Sequence, residues 1–297
     1  MEEKRMIVID ETNFPDAYFR KYLREQDYGK DGVIAEEAIK DITVIDVHRR
    51  GIGSLKGIEY FTSLKELHCS FNMLISLDVS KNTELTTLSC YNNLLSDLDV
   101  SCNVALTELN CYGNRLPSLD VTNNVALKEL RCYSNKLKVL DVTHNPELTF
   151  LWCCYNQLTV LDVTKNTELR ELWCNGNQIV ALDVTNNTKL TFFWCCLNQL
   201  TSLDVSKNTK LAKFRCYNNR LTSLDVSNNT ELVELRCNDN QLTSLDVSNN
   251  KALVELWCYE NQLTSLDVTK NEALTELRCH HNPLTSLEIT KNTAVIE

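Results

Sequence analysis

Two short runs of the chain hold residue types that perform redox or metal chemistry. Trp152-Cys153-Cys154-Tyr155 sets adjacent thiols among aromatics, and Cys279-His280-His281 offers three soft ligands in a row. Vicinal thiols can form a redox pair, and a thiol beside two imidazoles can begin a zinc site, although structural zinc needs four donors. Whether any of these groups is reactive depends on where the surrounding chain places it, and spacing decides that.

Eleven of the fourteen cysteines recur every 21 residues, from Cys69 and Cys90 through Cys153 to Cys279. An Asn stands three residues after each, from Asn72 to Asn282, and a second Asn series follows ten residues later, from Asn82 to Asn292. The unit reads L-x-x-L-x-C-x-x-N-x, then L-x-x-L-D-[VI]-[ST]-x-N-x-x, in eleven copies from Leu64 to Ala294. Each copy is two similar halves of ten and eleven residues. Neither half has room for a helix of ordinary length, whereas a short strand and a tight turn fit. The spacing therefore predicts a parallel β-solenoid with one strand per half-copy and rungs about 4.8 Å apart. Stacked Asn side chains would satisfy turn backbone that is otherwise buried unpaired.

These residues resemble the bacterial leucine-rich repeats, specifically the 21-residue nested class called IRREKO. The resemblance implies a right-handed coil of eleven repeats and a binding role, without naming a ligand. Residues 1–63 read as an N-terminal cap and 64–297 as the solenoid. In the cap, Pro15 stands near a predicted helix start, followed by Tyr18, Phe19, Tyr22 and Leu23 as an apolar stripe. A second short helix is expected over "AEEAIKDI", and "ITVIDVHRRGIGSLKGIEYFTS" suits an irregular first rung. The cap is similar to those of internalin-like surface proteins, which implies an extracellular or cell-surface setting. The N-terminus itself lacks the apolar stretch of a secretory leader, so a cytoplasmic chain and a trimmed one are both open.

Between the two predicted helices, "DYGKDGVIAEEA" resembles an EF-hand loop. Asp27, Asp31 and Gly32 match positions 1, 5 and 6, and the two aspartates are the candidate calcium ligands. Position 3 is Gly29 and position 12 is Ala38, so the bidentate Glu is missing. A purely structural turn is the competing reading.

Inside each rung the series cysteine takes a core slot, where free Cys behaves as a small apolar residue. Neighbouring rungs would hold parallel Cβ atoms about 4.8 Å apart, whereas a disulfide wants about 3.8 Å. The ladder is therefore expected to be reduced and packed, not redox-active or metal-binding. Cys154 and Cys196 follow series members, and alternation turns them outward onto an exposed face. Cys279 is expected inside and His280 outside, which breaks up the zinc candidate.

Recognition is written on the outward positions. The residue before each series cysteine reads His68, Ser89, Asn110, Arg131, Trp152, Trp173, Trp194, Arg215, Arg236, Trp257, Arg278, so all four tryptophans share one column. The residue after the cysteine contributes Tyr91, Tyr112, Tyr133, Tyr217 and Tyr259. Two residues before the Trp/Arg column runs a Glu-rich column interrupted by Phe150, Phe192 and Lys213. Trp, Tyr and Arg are the residues enriched in binding hot spots. Arg131, Phe150, Trp152, Tyr155, Trp173, Phe192, Trp194, Arg215, Tyr217, Arg236, Trp257 and Arg278 are accordingly the candidate ligand-binding residues on a concave strand face. Self-stacking of identical aromatics, worth about 0.5–1.5 kcal/mol per pair, is the structural alternative. The column changes chemistry from rung to rung while the core does not, and a ladder serving only stability has no need of that.

The second half of each copy carries an outward acid, Asp78 through Asp267 and then Glu288, eleven in all. Since −10 + 11 = +1, this column accounts for the net charge of −10. It is expected to be a soluble strand face, its repulsion offset by the Ser or Thr two residues on; cation binding along it is a lesser alternative.

The negative charge argues against nucleic acid and anionic membrane as partners, and no apolar run spans a bilayer. Five histidines form no acid–base or nucleophile constellation in the repeats, so no catalytic residue and no cofactor is expected. The expected function is non-catalytic binding of a protein or peptide. A glycan on the same face and a structural spacer are the alternatives. "KNTAVIE" shows no capping element, which leaves end-to-end self-association at the last rung as a further expectation.

Overall fold

A computed structural model describes residues 6–289 together with the backbone of Val295–Ile296. Thr290, Asn292 and Ala294, the last members of the repeated columns, lie outside the described residues, as does most of the final rung proposed for self-association. By internal contacts the chain divides into two compact units, Met1–Asn145 and Pro146–Glu297.

In the first unit, β1 (Met6–Val8) pairs antiparallel with β2 (Val33–Ala35). Helix α1 (Ala17–Glu25) starts at Asp16, whose Oδ1 accepts from the backbone N–H groups of Tyr18 and Phe19 at 2.9 and 3.0 Å. Its Oδ2 accepts from Gly53 and Ser54 N–H at 2.8 and 3.2 Å, so one carboxylate caps the helix and fixes it to the first rung. Phe19, Tyr22 and Leu23 are buried as the periodicity predicts, but Tyr18 is exposed. It lies about 100° round the helix from Phe19, outside the stripe that meets the core. Helix α2 (Glu36–Ile39) is a single turn.

Strands β3 (Val44–Asp46), β4 (Glu66–His68), β5 (Thr87–Ser89), β6 (Glu108–Asn110) and β7 (Glu129–Arg131) then pair in parallel, in register from rung to rung. In the second unit the same ladder is built by β8 (Phe150–Trp152), β9 (Glu171–Trp173), β10 (Phe192–Trp194), β11 (Lys213–Arg215), β12 (Glu234–Arg236) and β13 (Glu255–Trp257), with consecutive strands 21 residues apart. There β14 (Ser265–Asp267) pairs with β16 (Ser286–Glu288), and β15 (Glu276–Arg278) lies between β13 and β17 (Val295–Ile296). The chain is thus a parallel β-solenoid of the leucine-rich-repeat type.

Two features of each rung explain this construction. The Leu, Val and Cys positions of the repeat are buried from Leu64 to Cys279, apart from the half-buried Leu203, and Phe193 and Phe214 fill two Leu slots with stacked rings 5.5 Å apart. The Asn columns satisfy backbone where the chain turns. Asn93 Nδ2 donates to the carbonyls of Cys90 and Cys69, and its Oδ1 accepts from Leu74 N–H at 3.0 Å. Asn103 Nδ2 donates to Val79 and Asn82 carbonyls at 3.0 and 2.8 Å. Asn198 does in the second unit what Asn93 does in the first.

The expected strand in the second half-copy is present only as β14 and β16 among the described residues. Throughout this column, β14 included, the Asp side chain braces the turn that follows. Asp120 Oδ1 accepts from Thr122 N–H at 2.9 Å and Thr122 Oγ1–H at 2.6 Å, and Asp183 with Thr185 repeats the pattern in the second unit. The side chain takes an N–H within its own rung and curls the chain into a turn.

Candidate recognition face

The Trp/Arg column of the second unit is a continuous stack. Trp152 and Trp173 lie parallel with ring centroids 4.1 Å apart, and Trp173 and Trp194 repeat that spacing. The Arg215 guanidinium sits 4.2 Å over Trp194. Arg236 and Arg278 cover Trp257 at 3.7 and 4.4 Å. In-register parallel strands make this possible: Trp194 stands opposite Trp173 and Arg215, and Arg215 opposite Arg236. Each large planar group rests on its neighbour, which removes most of the rotamer freedom a surface Trp or Arg would otherwise have.

Placing Arg215 and Arg236 side by side would repel without a counter-ion. Glu234 supplies one. It is only 5% exposed, accepts from Arg215 Nε at 2.6 Å and forms an ion pair with Arg236 Nε at 2.9 Å. Arg236 Nε also reaches Glu255 at 2.7 Å, and Trp257 Nε1–H donates to Glu276 Oε1 at 3.0 Å. A diagonal governs three of these contacts. Arg215, Arg236 and Trp257 each meet the residue 19 positions later, one rung on and two residues back. Glu234, Glu255 and Glu276 therefore belong to the face although the sequence reading left this Glu column out of the candidate binding residues, and the 19-residue offset was the signal that could have included it.

On the other flank, the expectation that Cys154 and Cys196 face solvent is wrong. They are 6% and 2% exposed, and burial pushes the Cys154 thiol up to about 12. Alternation places them on the outer side of the strand, but each shares that side with an indole two residues upstream, which shields a small neighbour. Tyr217 also reaches the Cys196 thiol. Tyr155 adopts a left-handed backbone, φ 52°, and its ring lies over Gly176, where a Cβ would stand 2.7 Å from it. Phe150 and Phe192 are half-buried at the start of their strands.

In the first unit the rings occupy the column after the cysteine. Tyr91, Tyr112 and Tyr133 stack at 4.4 and 4.1 Å, and Phe71 packs edge-on against Tyr91 with Arg49 over its ring. Arg131 pairs with Glu129 of its own strand at 2.7 Å.

The remaining candidates divide clearly. All fourteen cysteines are free thiols, with the ladder members buried and Cys102 exposed. Burial pushes the Cys111 thiol up to about 12. Cys279 points inward, while His280 stacks on Tyr259 and His281 meets Glu260 at 2.8 Å. Among the described residues no three His, Cys, Asp or Glu side chains are grouped to hold a metal ion. Asp27 is wholly exposed beside Lys30, and Gly29 is required because a Cβ there would lie 2.2 Å from the Leu23 carbonyl oxygen. In the acidic column, hydrogen bonds from the Thr122 hydroxyl and N–H hold Asp120 below the usual carboxylate range. An open depression lined by Asp162, Asp183 and Asp204 lies along the same column in the second unit.

No family model matches the chain. Over 50 residues it is 40% identical to Internalin J of Listeria monocytogenes, an alignment covering 17% of this chain and 6% of that protein. Among solved structures, the functional domain of InlJ from Listeria monocytogenes, which includes a cysteine ladder, superposes with a TM-score of 0.76 at 34% identity, covering 99% of this chain and 63% of that one. The internalin InlF of the same species gives 0.78 at 23% identity, over 98% and 100%. The chain thus spans less than two thirds of the solved InlJ domain and a small part of the full-length relative.

Proposed function

We propose that this chain, an internalin-like leucine-rich-repeat solenoid with a buried cysteine ladder, is a non-catalytic module that binds a protein or peptide along the Trp–Arg column of its second unit. The observation that carries this reading is the contrast between a constant interior and a variable, rigid outer column. From Trp152 to Arg278 the stack holds its side chains in place before any partner arrives. Little side-chain entropy is then lost on binding, which is what a hot spot requires. Half-buried Trp and Arg with polar neighbours also match the composition of interface centres.

Stacking bears on the glycan alternative. A sugar ring binds to an open aromatic face, and here ring faces are covered at 4.1 Å by the next ring, leaving edges. Ring edges suit the packed side chains of a peptide better than a sugar's C–H face. Placement outside the cell is part of the same proposal and rests on the internalin likeness. No helix among the described residues is long and apolar enough to cross a membrane.

The test replaces Trp152, Trp173 and Trp194 by Ala and compares the variant with the parent on protein, peptide and glycan arrays, with far-UV circular dichroism as the folding control. Loss of protein or peptide binding with the spectrum retained is the expected result. Binding that survives the triple substitution overturns the assignment to this column. A fall in stability with no ligand on any array favours the spacer reading.

A further inference from the structure

We infer that the Trp173–Trp194 section of the column takes a carboxylate from an acidic peptide segment of the partner. The inference rests on the binding reading above and narrows it to a chemistry.

It follows from the 19-residue diagonal. Along the second unit, three groups in the column meet a carboxylate one rung on: Glu234 for Arg215, Glu255 for Arg236, Glu276 for Trp257. The corresponding residue for Trp173 is Phe192, and for Trp194 it is Lys213. Neither side chain can accept a hydrogen bond. The indole nitrogens of Trp173 and Trp194 are both shielded from water and both lack an acceptor. A buried donor left without a partner is uncommon, because the desolvation is not repaid. Two on consecutive rungs, at the place where the Glu column gives way to Phe and Lys, mark an acceptor that the chain does not supply.

Charge points the same way. Among the described residues the one ion pair of Lys213 is a 4.0 Å contact to Glu234, which already serves Arg215 and Arg236 at 2.6 and 2.9 Å. Its side chain is 45% exposed and its ammonium lies 5.8 Å from the Phe192 ring centroid. Lys213, Arg215 and Arg236 face Glu234 and Glu255, one positive charge in excess. The negative charge of the whole chain comes from the Asp column in the other half of each copy, whose eleven acids outnumber the net −10. An entering carboxylate would accept from an indole N–H and pair with the Lys213 ammonium once that flexible side chain moves aside.

The experiment uses the full chain labelled with 15N at tryptophan, which gives four indole N–H signals for four tryptophans. Trp173→Phe and Trp194→Phe variants assign two of them. The probes are an acetylated, amidated hexapeptide of alternating Glu and Phe, its Gln/Phe counterpart, and a heparin-derived hexasaccharide. Expected are downfield shifts of the Trp173 and Trp194 signals with the Glu peptide, while Trp257, already bonded to Glu276, stays in place. The Gln peptide should bind at least tenfold more weakly, and Lys213→Glu should weaken the Glu peptide at least tenfold. Equal binding of the two peptides, shifts confined to other signals, no binding at millimolar peptide, or shifts produced by the hexasaccharide alone would each overturn the inference. Loss of array binding in the triple Ala variant would still stand in those cases, so the broader reading can survive this one.

Discussion

The two units solve the same packing problem with different columns. In the first, rings sit one residue after the cysteine, at Tyr91, Tyr112 and Tyr133, and the position before it carries Ser89, Asn110 and Arg131. In the second, indoles sit before the cysteine at Trp152, Trp173 and Trp194, and the position after it carries Cys154, Asn175 and Cys196. These two positions share one side of the strand, so over most rungs a ring in one goes with a small group in the other. Arg131 with Tyr133, Arg215 with Tyr217 and Trp257 with Tyr259 carry large groups in both, and the last pair tilts to 41° at 6.4 Å instead of stacking. Each unit therefore presents one ladder of planar groups, phenol in one and indole with guanidinium in the other, over an interior that is the same in both.

The shared interior gives the largest effect. A thiol in the denatured chain ionises near 8.5, whereas burial raises the ladder thiols well above their ordinary value. The native state thus holds these protons more tightly. Its stability is complete below the denatured value and is lost as pH rises above it, by about 1.4 kcal/mol per buried thiol per pH unit. Thermal melts from pH 7 to 10.5 should drop steeply above about pH 9, with both units failing together. A flat profile would contradict the packed-thiol account, and two separate transitions would contradict a common interior.

The outer columns should respond unequally. Glu234→Ala leaves two neighbouring guanidiniums without their shared, buried counter-ion and should lower stability by about 2 kcal/mol, less than a fully buried pair because both arginines keep some solvent. Glu129→Ala, which breaks one half-exposed pair with Arg131, should lower it by well under about 1 kcal/mol. Urea denaturation of the two variants decides the matter, and equal losses would erase the distinction between the units. The smallest effect is chemical. Ellman's reagent should titrate one thiol of the native protein, Cys102, and all fourteen after denaturation. Rapid native reaction at Cys154 or Cys196 would mean that the indole column does not cover them.

Much of this was legible in the residues. Two Asn series at a fixed 21-residue interval leave few folds other than a solenoid, and all four tryptophans in one column point to its outer face. The missing strand in the second half-copy was not legible, because an Asp followed two residues later by Ser or Thr can either extend a strand or close a turn. Asp267 of β14 makes the same side-chain bond as Asp120, so that bond does not decide between strand and turn. The burial of Cys154 and Cys196 was missed because alternation tells direction and not what a neighbour covers. Glu234 pairs with Arg236 on its own strand, but its tighter contact, to Arg215, runs across rungs and appears only when the register is known.

Three parallel indoles 4.1 Å apart also act as one absorber. At that separation their transition dipoles couple, so an excitation is shared among the rings and the near-ultraviolet absorption is shifted from that of isolated tryptophans. The shift depends on ring spacing and on the angles between the rings. The second unit thereby contains an optical gauge of its own register, readable without any label, that should collapse when the middle ring, Trp173, is removed and change when a partner moves the others.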